Sequence, residues 1–243
     1  MEPRYPGKDD DLLGRGMAYK LLSVAFLPHD GRRLPHLLGE TLTLATSLAD
    51  SDVDEAIRSS ARRLADRLSG LRRDETEFRS GASVVFGTPS PYPPYEGEYG
   101  MASVFMKTQT MADVAGFYRA FGLEVGPGFH DRPDHLAAEL EFMHFLLTKE
   151  AYAREHKLDD LAAETRKAQS RFLEEHLGSW GPAFFASIAR GGGNAFYAAA
   201  SEFGSRFLTA ESERLRVSPK RIRIRAPTPE PESPAGCAPC PDG

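Results

Sequence analysis

The sequence predicts an all-α fold: a single-domain helical bundle over residues 1–215, followed by a disordered tail over 216–243. Three observations carry this reading. Apolar residues recur at steps of three and four in every patterned segment before residue 216, and no convincing alternating strand pattern occurs there. A hydrophobic fraction of 41% over 243 residues supplies a core large enough for a globular domain. Beyond Leu215 the chain turns basic and then proline-rich, a composition that does not bury enough apolar surface to offset its ordering entropy.

Residues 12 to 27 gather Leu12, Leu13, Leu21, Leu22, Val24, Ala25 and Phe26 into an apolar segment that ends at Pro28, which reads as a first helix and its stop. Over 52 to 71, Val53, Ile57, Ala61, Leu64, Leu68 and Leu71 draw one stripe down a second helix. Its other face, with Arg58, Arg62, Asp66, Arg72 and Arg73, reads as solvated surface. From Gly87 to Gly100, Pro89, Pro91, Pro93 and Pro94 are interleaved with Tyr92, Tyr95 and Tyr99. Prolines at that density exclude helix interior. The stretch is a long loop, either functional or a connector that packs its tyrosines on the core.

Helical pattern resumes at 111 to 121 with Val114, Phe117, Tyr118 and Phe121 and stops at Gly122, the residue type that supplies a left-handed cap. Gly126-Pro127-Gly128 makes a turn. A helix is then expected from about Pro133, with Asp131 as N-cap and with Leu136, Leu140, Met143 and Leu147 as a stripe central to the core. Further helices are expected over about 158–176, 180–190 and 195–214, separated by Gly178 and by Gly191-Gly192-Gly193. In the tail, Arg221-Ile222-Arg223-Ile224-Arg225 alternates and leaves open a strand formed on a partner.

Thirty basic residues against 35 acidic ones, a net charge of −5, give the chain no general affinity for nucleic acid or an anionic membrane. No window approaches the roughly 18 consecutive apolar residues of a spanning helix, so no membrane insertion is expected. Cys237 and Cys240 are the only cysteines and cannot staple the core, which suits a reducing, cytoplasmic setting. Asp9, Asp10 and Asp11 ahead of the first apolar run are unlike an export signal. Arg32-Arg33-Leu34 mimics a twin-arginine leader loosely, but Pro35, His36 and Glu40 interrupt what should be its apolar region.

Enzyme and cofactor motifs find no support. No G-x-x-x-x-G-K-[ST] loop occurs, and Gly191-Gly192-Gly193 joins helical segments with no strand before it. Cys237-Ala238-Pro239-Cys240 is a lone C-x-x-C in a tail, short of the further ligands that a metal needs. His135 and Glu139 share a helix face at i, i+4, but two ligands do not make a site, and no G-x-S-x-G elbow appears. The expectation is a protein that is not an enzyme and that holds neither cofactor nor metal.

The charge distribution says more. Between Glu96 and Glu141 stand eight acids (Glu96, Glu98, Asp113, Glu124, Asp131, Asp134, Glu139, Glu141) and three bases (Lys107, Arg119, Arg132), which accounts for the whole net charge. An acidic segment that holds a Pro/Tyr loop and a helix N-terminus can receive a basic peptide through charge-assisted hydrogen bonds to arginine; ordinary helix-dipole bias and solvation explain it equally well.

At Asp131-Arg132-Pro133-Asp134-His135-Leu136-Ala137-Ala138-Glu139-Leu140-Glu141-Phe142-Met143 the chain resembles the signature of the TorD/DmsD/NarJ family of molybdoenzyme maturation chaperones, E-x-P-D-H followed by an apolar helix with E-L at its middle. Asp131 stands where that family usually has glutamate, and Tyr95 where some members have tryptophan. Arg15 and Tyr19, the loop from Pro93-Pro94-Tyr95 to Gly100, Phe117-Tyr118 to Val125, Phe172 to Trp180 and Phe196 to Phe207 are similar to the family's pattern as well.

The resemblance implies a TorD/DmsD-type helical bundle that binds the twin-arginine leader, the apo catalytic subunit, or both, of a molybdopterin oxidoreductase of the DMSO reductase family in the cytoplasm. It implies assistance to cofactor insertion before export, by a monomer or a homodimer. It carries leader binding to Asp134 and His135, and further to Arg15, Pro93, Pro94, Tyr95 and Gly100; Asp131 and Glu139 join them by charge and position. Two other readings stay open, a helical adaptor with no leader client and a nucleotide-responsive regulator, since guanine nucleotide binding has been proposed for family members.

Overall fold

In the computed structural model of the chain, the described residues are 9–27, 34–70, 75–87, 90–99, 104–124, 131–191 and 194–222. They fold as α1 (Asp9–Ala25), α2 (Leu34–Ala49), α3 (Glu55–Ser69), α4 (Glu75–Phe86), a 3₁₀ turn over Glu96–Glu98, α5 (Val104–Ala120), α6 (Leu136–Glu155), α7 (Asp159–Phe172), a π turn over Leu173–Leu177, α8 (Gly178–Gly191) and α9 (Ala195–Leu215). Among these residues the extended pairing is one antiparallel bridge between Tyr95 and His135. The all-α expectation holds.

α6 is the axis of the bundle. Its buried residues, from Leu136, Leu140 and Met143 through Leu146, Leu147 and Ala153, surround the helix, as expected of a helix enclosed by its neighbours. α1 runs antiparallel along it: His144 Nδ1 lies 2.8 Å from the Gly16 carbonyl, Lys20 pairs with Glu141 at 2.9 Å, and the Ser23 hydroxyl donates to the Ala137 carbonyl at 3.0 Å. Phe26 at the end of α1 meets Phe184, Phe185 and Tyr197 at 5.4 to 5.7 Å between ring centroids, which joins α1 to α8 and α9. On the other side of α6, Tyr118, Phe142 and Phe172 stack α5, α6 and α7 against one another.

The structure amends several boundaries. α2 and α4 were not expected as helices. α2 follows Arg33 directly and carries Pro35 in its first turn, where the missing N–H costs nothing. Arg32, Arg33 and Pro28 themselves lie outside the described residues, as do Gly126-Pro127-Gly128. α5 begins at Val104, nearly three turns before its first buried residue Val114; that half buries nothing in the core. Gly122 does take φ +72°, the left-handed conformation expected where α5 stops. Gly178 does not separate helices; a π turn carries α7 into α8 without a break.

Residues 216–222, expected in the disordered tail, lie against the bundle: Val217 and Ile222 pack on the core, and the Ile222 N–H donates to the Ser179 carbonyl at 3.0 Å. Ile222 supplies the apolar contact that the tail's overall composition conceals. Residues 223–243, with Cys237 and Cys240, lie outside the described residues. No helix among those described is long and apolar enough to cross a membrane.

Candidate functional site

The Pro/Tyr loop is anchored at one end by Ser90, whose hydroxyl bonds the Val84 and Val85 carbonyls at 3.0 Å and caps the exit of α4. It then runs antiparallel to the segment that enters α6. The Leu136 N–H donates to the Pro94 carbonyl and the Glu96 N–H to the Asp134 carbonyl, both at 2.9 Å. Pro93 and Pro94 thus act through backbone geometry, since a residue with fixed φ and no N–H suits a short edge pairing. Tyr95 sits over the junction, with its hydroxyl donating to Asp131 at 3.2 Å and its ring edge-on to His135 at 5.2 Å.

Asp134 closes this clasp. Its side chain is fully buried and accepts the Gly97 N–H at 2.9 Å and two guanidinium bonds from Arg132 at 2.9 and 2.7 Å. Arg132 bonds Glu98 with its remaining nitrogen at 2.8 Å and lies over the Tyr95 ring at 4.6 Å. Glu98 also takes Lys107 from α5. Burial would raise the Glu98 carboxyl, but Lys107 and Arg132 outweigh it and hold the group below its ordinary value. Asp134 therefore meets an arginine, as a carboxylate here was expected to do, and the arginine is the chain's own.

His135, also fully buried, is the N-cap of α6: its Nδ1 accepts the Ala137 N–H at 3.0 Å. The helix starts at Leu136, not Pro133, and Asp131 does not cap it; that carboxylate is taken by the Arg132 N–H and Tyr95. Capping through Nδ1 needs a neutral imidazole, and burial pulls the His135 pKa down to about 4 against the opposing pull of Asp131 and Asp134.

Deeper in, Glu139 on the first turn of α6 is wholly buried and accepts the Trp180 indole N–H at 3.1 Å. Glu96 lies within hydrogen-bond reach of it, and His176 on the π turn approaches Glu96 at 3.0 Å. Burial raises both carboxyls, and each is pushed further up by a neighbouring carboxylate, although His176 draws Glu96 back.

Glu139 thus lies inside the bundle. Arg15 does too: it is 1% exposed and forms a two-pronged pair with Glu211 of α9 at 2.7 and 2.8 Å. Its side chain braces α1 against α9. Gly100 lies outside the described residues. The structure brings Pro93, Pro94, Tyr95, Asp131, Asp134 and His135 together, places Glu139 one turn below them, and leaves Arg15 elsewhere in the core.

The accessible feature beside the clasp is a cleft of about 400 Å³ between α1, the end of α5 and the first turns of α6. Val24 of α1, Leu27 just after it, Leu123, and Ala138, Phe142 and Phe145 of α6 give it an apolar lining. Glu124 and Glu141 supply carboxylates, the latter paired with Lys20. Sequence reading did not find this cleft, whose parts come from three separate segments; the acidic excess around Glu124 and Glu141 was its one visible sign.

Two opposite pH slopes follow from these burials. His135 has a folded pKa below its ordinary 6.5, so the stability it confers is present above 6.5 and lost as pH falls toward 4. Glu139 has a folded pKa above its ordinary 4.5, so its contribution is full below 4.5 and lost as pH rises through the raised value. In melts across pH, the Tm advantage of Glu139→Gln over the parent is expected to grow upward from pH 4.5. That of His135→Asn, which keeps a capping oxygen, is expected to grow downward from 6.5. Differences that do not vary with pH would remove both assignments.

The model of the family described as nitrate reductase delta subunit matches residues 50–186, more than half of the chain, including the loop, the clasp and α6. The chain belongs to the nitrate reductase delta subunit family. This places it in the TorD/DmsD/NarJ group that residues 131–143 resemble. Among curated proteins, the chain is 34% identical over 142 residues to a perchlorate reductase assembly chaperone of Dechloromonas aromatica (strain RCB), covering 57% of this chain and 62% of that one. It is 34% identical over 74 residues to a selenate reductase assembly chaperone of Thauera selenatis, covering 30% and 37%. The matched stretches thus span about three fifths and just over a third of these relatives. A crystal structure of a proposed redox enzyme maturation protein from Archaeoglobus fulgidus aligns with a TM-score of 0.47 at 20% identity, covering 86% of this chain and 99% of that one.

Proposed function

We propose that this family member is a cytoplasmic, non-catalytic assembly chaperone for a molybdopterin oxidoreductase of the DMSO reductase family. It holds the twin-arginine leader, the apo catalytic subunit, or both, until the cofactor has been inserted and export begins. The cleft between α1 and α6 carries this reading. Its apolar lining suits the apolar stretch of a leader, and Glu124 and Glu141 suit the paired arginines that precede such a stretch. Asp131, Asp134, His135, Pro93, Pro94 and Tyr95 act on the cleft from beside it, by fixing the first turn of α6, where Ala137 and Ala138 line it. Membership of a family that includes assembly chaperones for perchlorate and selenate reductases agrees with a reductase catalytic subunit as client.

The test is calorimetric titration of a synthetic peptide with two adjacent arginines ahead of an apolar stretch. Ala138 is half-buried on the cleft wall, so Ala138→Trp is expected to fill the cleft and weaken binding at least tenfold, about 1.4 kcal/mol, with little change in Tm. Equal affinity in the variant would place the leader elsewhere, and no binding by the parent chain would favour an adaptor without a leader client.

A further inference from the structure

A second concave surface lies on the far side of the clasp. α5 and α7 diverge around a cleft of about 660 Å³, lined by Ala112, Gly116, Phe117 and Phe121 on one wall and by Lys167 and Arg171 on the other, with His176 at its floor. On α5 the small residues Ala112, Gly116 and Ala120 stand four apart, and a Cβ added at Gly116 would meet nothing within 4 Å.

The face continues beyond the cleft. At 100° per residue, Phe105 lies on the line of Ala112 and Gly116, and Met106 on the line of Asp113 and Phe117. Val104, Phe105 and Met106 are 80%, 76% and 43% exposed, three consecutive large apolar side chains in water where a monomer rarely places them. From Phe105 to Ala120 the stripe is about 22 Å long at 1.5 Å per residue. The facing wall carries Glu164, Lys167, Arg171 and Glu175 at helical spacing, with both signs of charge.

We infer that this face is a docking site for an amphipathic helix of the client's catalytic subunit, outside the leader; the inference rests on the chaperone reading above. A helix with one apolar ridge fits between α5 and α7, because small residues at steps of four let a third helix approach closely. Its flanking charges meet both signs on the facing wall, where Arg171 and Glu175 pair with each other at 3.1 Å in its absence. A second copy of this chain is a poorer occupant, since a two-fold contact needs a self-complementary surface and this one is concave for most of its length.

The cleft is also tied to the clasp at two points. Lys107 on α5 bonds Glu98, which bonds Arg132 on Asp134, and His176 at the floor bonds Glu96, whose N–H bonds the Asp134 carbonyl.

The experiment places a photo-reactive benzoylphenylalanine at position 105, or at Leu27 in the leader cleft, in the full chain expressed in its native cell. Cross-linked peptides are then identified by mass spectrometry. Position 105 is expected to capture a molybdopterin reductase catalytic subunit at a helical segment outside its leader, and Gly116→Leu to reduce that product at least tenfold, as filling the centre of an interface does. The Gly116→Leu chain should melt no lower than its parent, since leucine favours helix and has open space there. Capture of a second copy of this chain, of the leader alone, or of a product indifferent to Gly116→Leu overturns the inference. Capture of the reductase from position 27 but not 105 overturns it while leaving the chaperone reading intact. Capture of no reductase subunit from either position overturns both.

Discussion

Replacing Arg15 by alanine is expected to destabilise the chain by about 3 kcal/mol, near the low end of the range for breaking a buried ion pair. The guanidinium and the Glu211 carboxylate are 1% and 0% exposed, so the variant strands a carboxylate in the core. Arg214, 4.0 Å from Glu211, offsets part of that cost. For a chain of this length the fall in Tm is roughly 6–12 °C. Arg15→Met with Glu211→Leu removes both charges and is expected to recover most of the loss, because a buried pair adds little net stability over apolar residues of similar size. A fall of less than about 2 °C for Arg15→Ala, or a double variant worse than the single one, would show that the pair does not brace α1 against α9. Leader binding should change only as far as folding does.

The second large effect is at Asp134. Alanine there leaves the Gly97 N–H without its acceptor and takes two bonds from Arg132, which keeps Glu98 and is 31% exposed. Exposure of the arginine limits the expected loss to about 2–3 kcal/mol. Asn at 134 retains an acceptor for Gly97 and is expected to lose about half as much. Hydrogen exchange gives the specific readout: the Glu96 and Gly97 amides, both bonded to Asp134, should lose protection in Asp134→Ala before the α6 amides do. Unchanged protection at those two amides would mean that the loop is held without the clasp.

Segments with an unambiguous apolar stripe were legible in the sequence, α3 most plainly, because it buries Ile57, Ala61, Leu64 and Leu68 on one face and leaves the other to solvent. α2 was obscured by its own beginning, where Arg32-Arg33-Leu34 mimics an interrupted twin-arginine leader, although Leu37, Leu38, Ala45 and Leu48 are buried as a helix stripe requires. The exposed half of α5 was not legible because its apolar residues, Val104, Phe105 and Met106, stand in solvent and line no core. At the site, residues 131–143 pointed to the right segment, but the pairing within it did not follow from charge. Arg132 counted as one of three bases in an acidic stretch; only the fold shows that it occupies Asp134, and that His135 caps the helix that Asp131 was expected to cap. Burial of Arg15 and Glu139 was hidden for the same reason, since their partners Glu211 and Trp180 lie 196 and 41 positions away.

That distance from Arg15 to Glu211 has a consequence during synthesis. Chains grow at about 5–20 residues per second, so α1 emerges roughly ten seconds or more before the carboxylate that neutralises its buried arginine exists. Until residue 211 has been added, docking α1 against the rest of the bundle means burying an unpaired guanidinium. α1 forms one wall of the 400 Å³ cleft beside α6, so the nascent chain lacks a finished cleft while α9 is still being made.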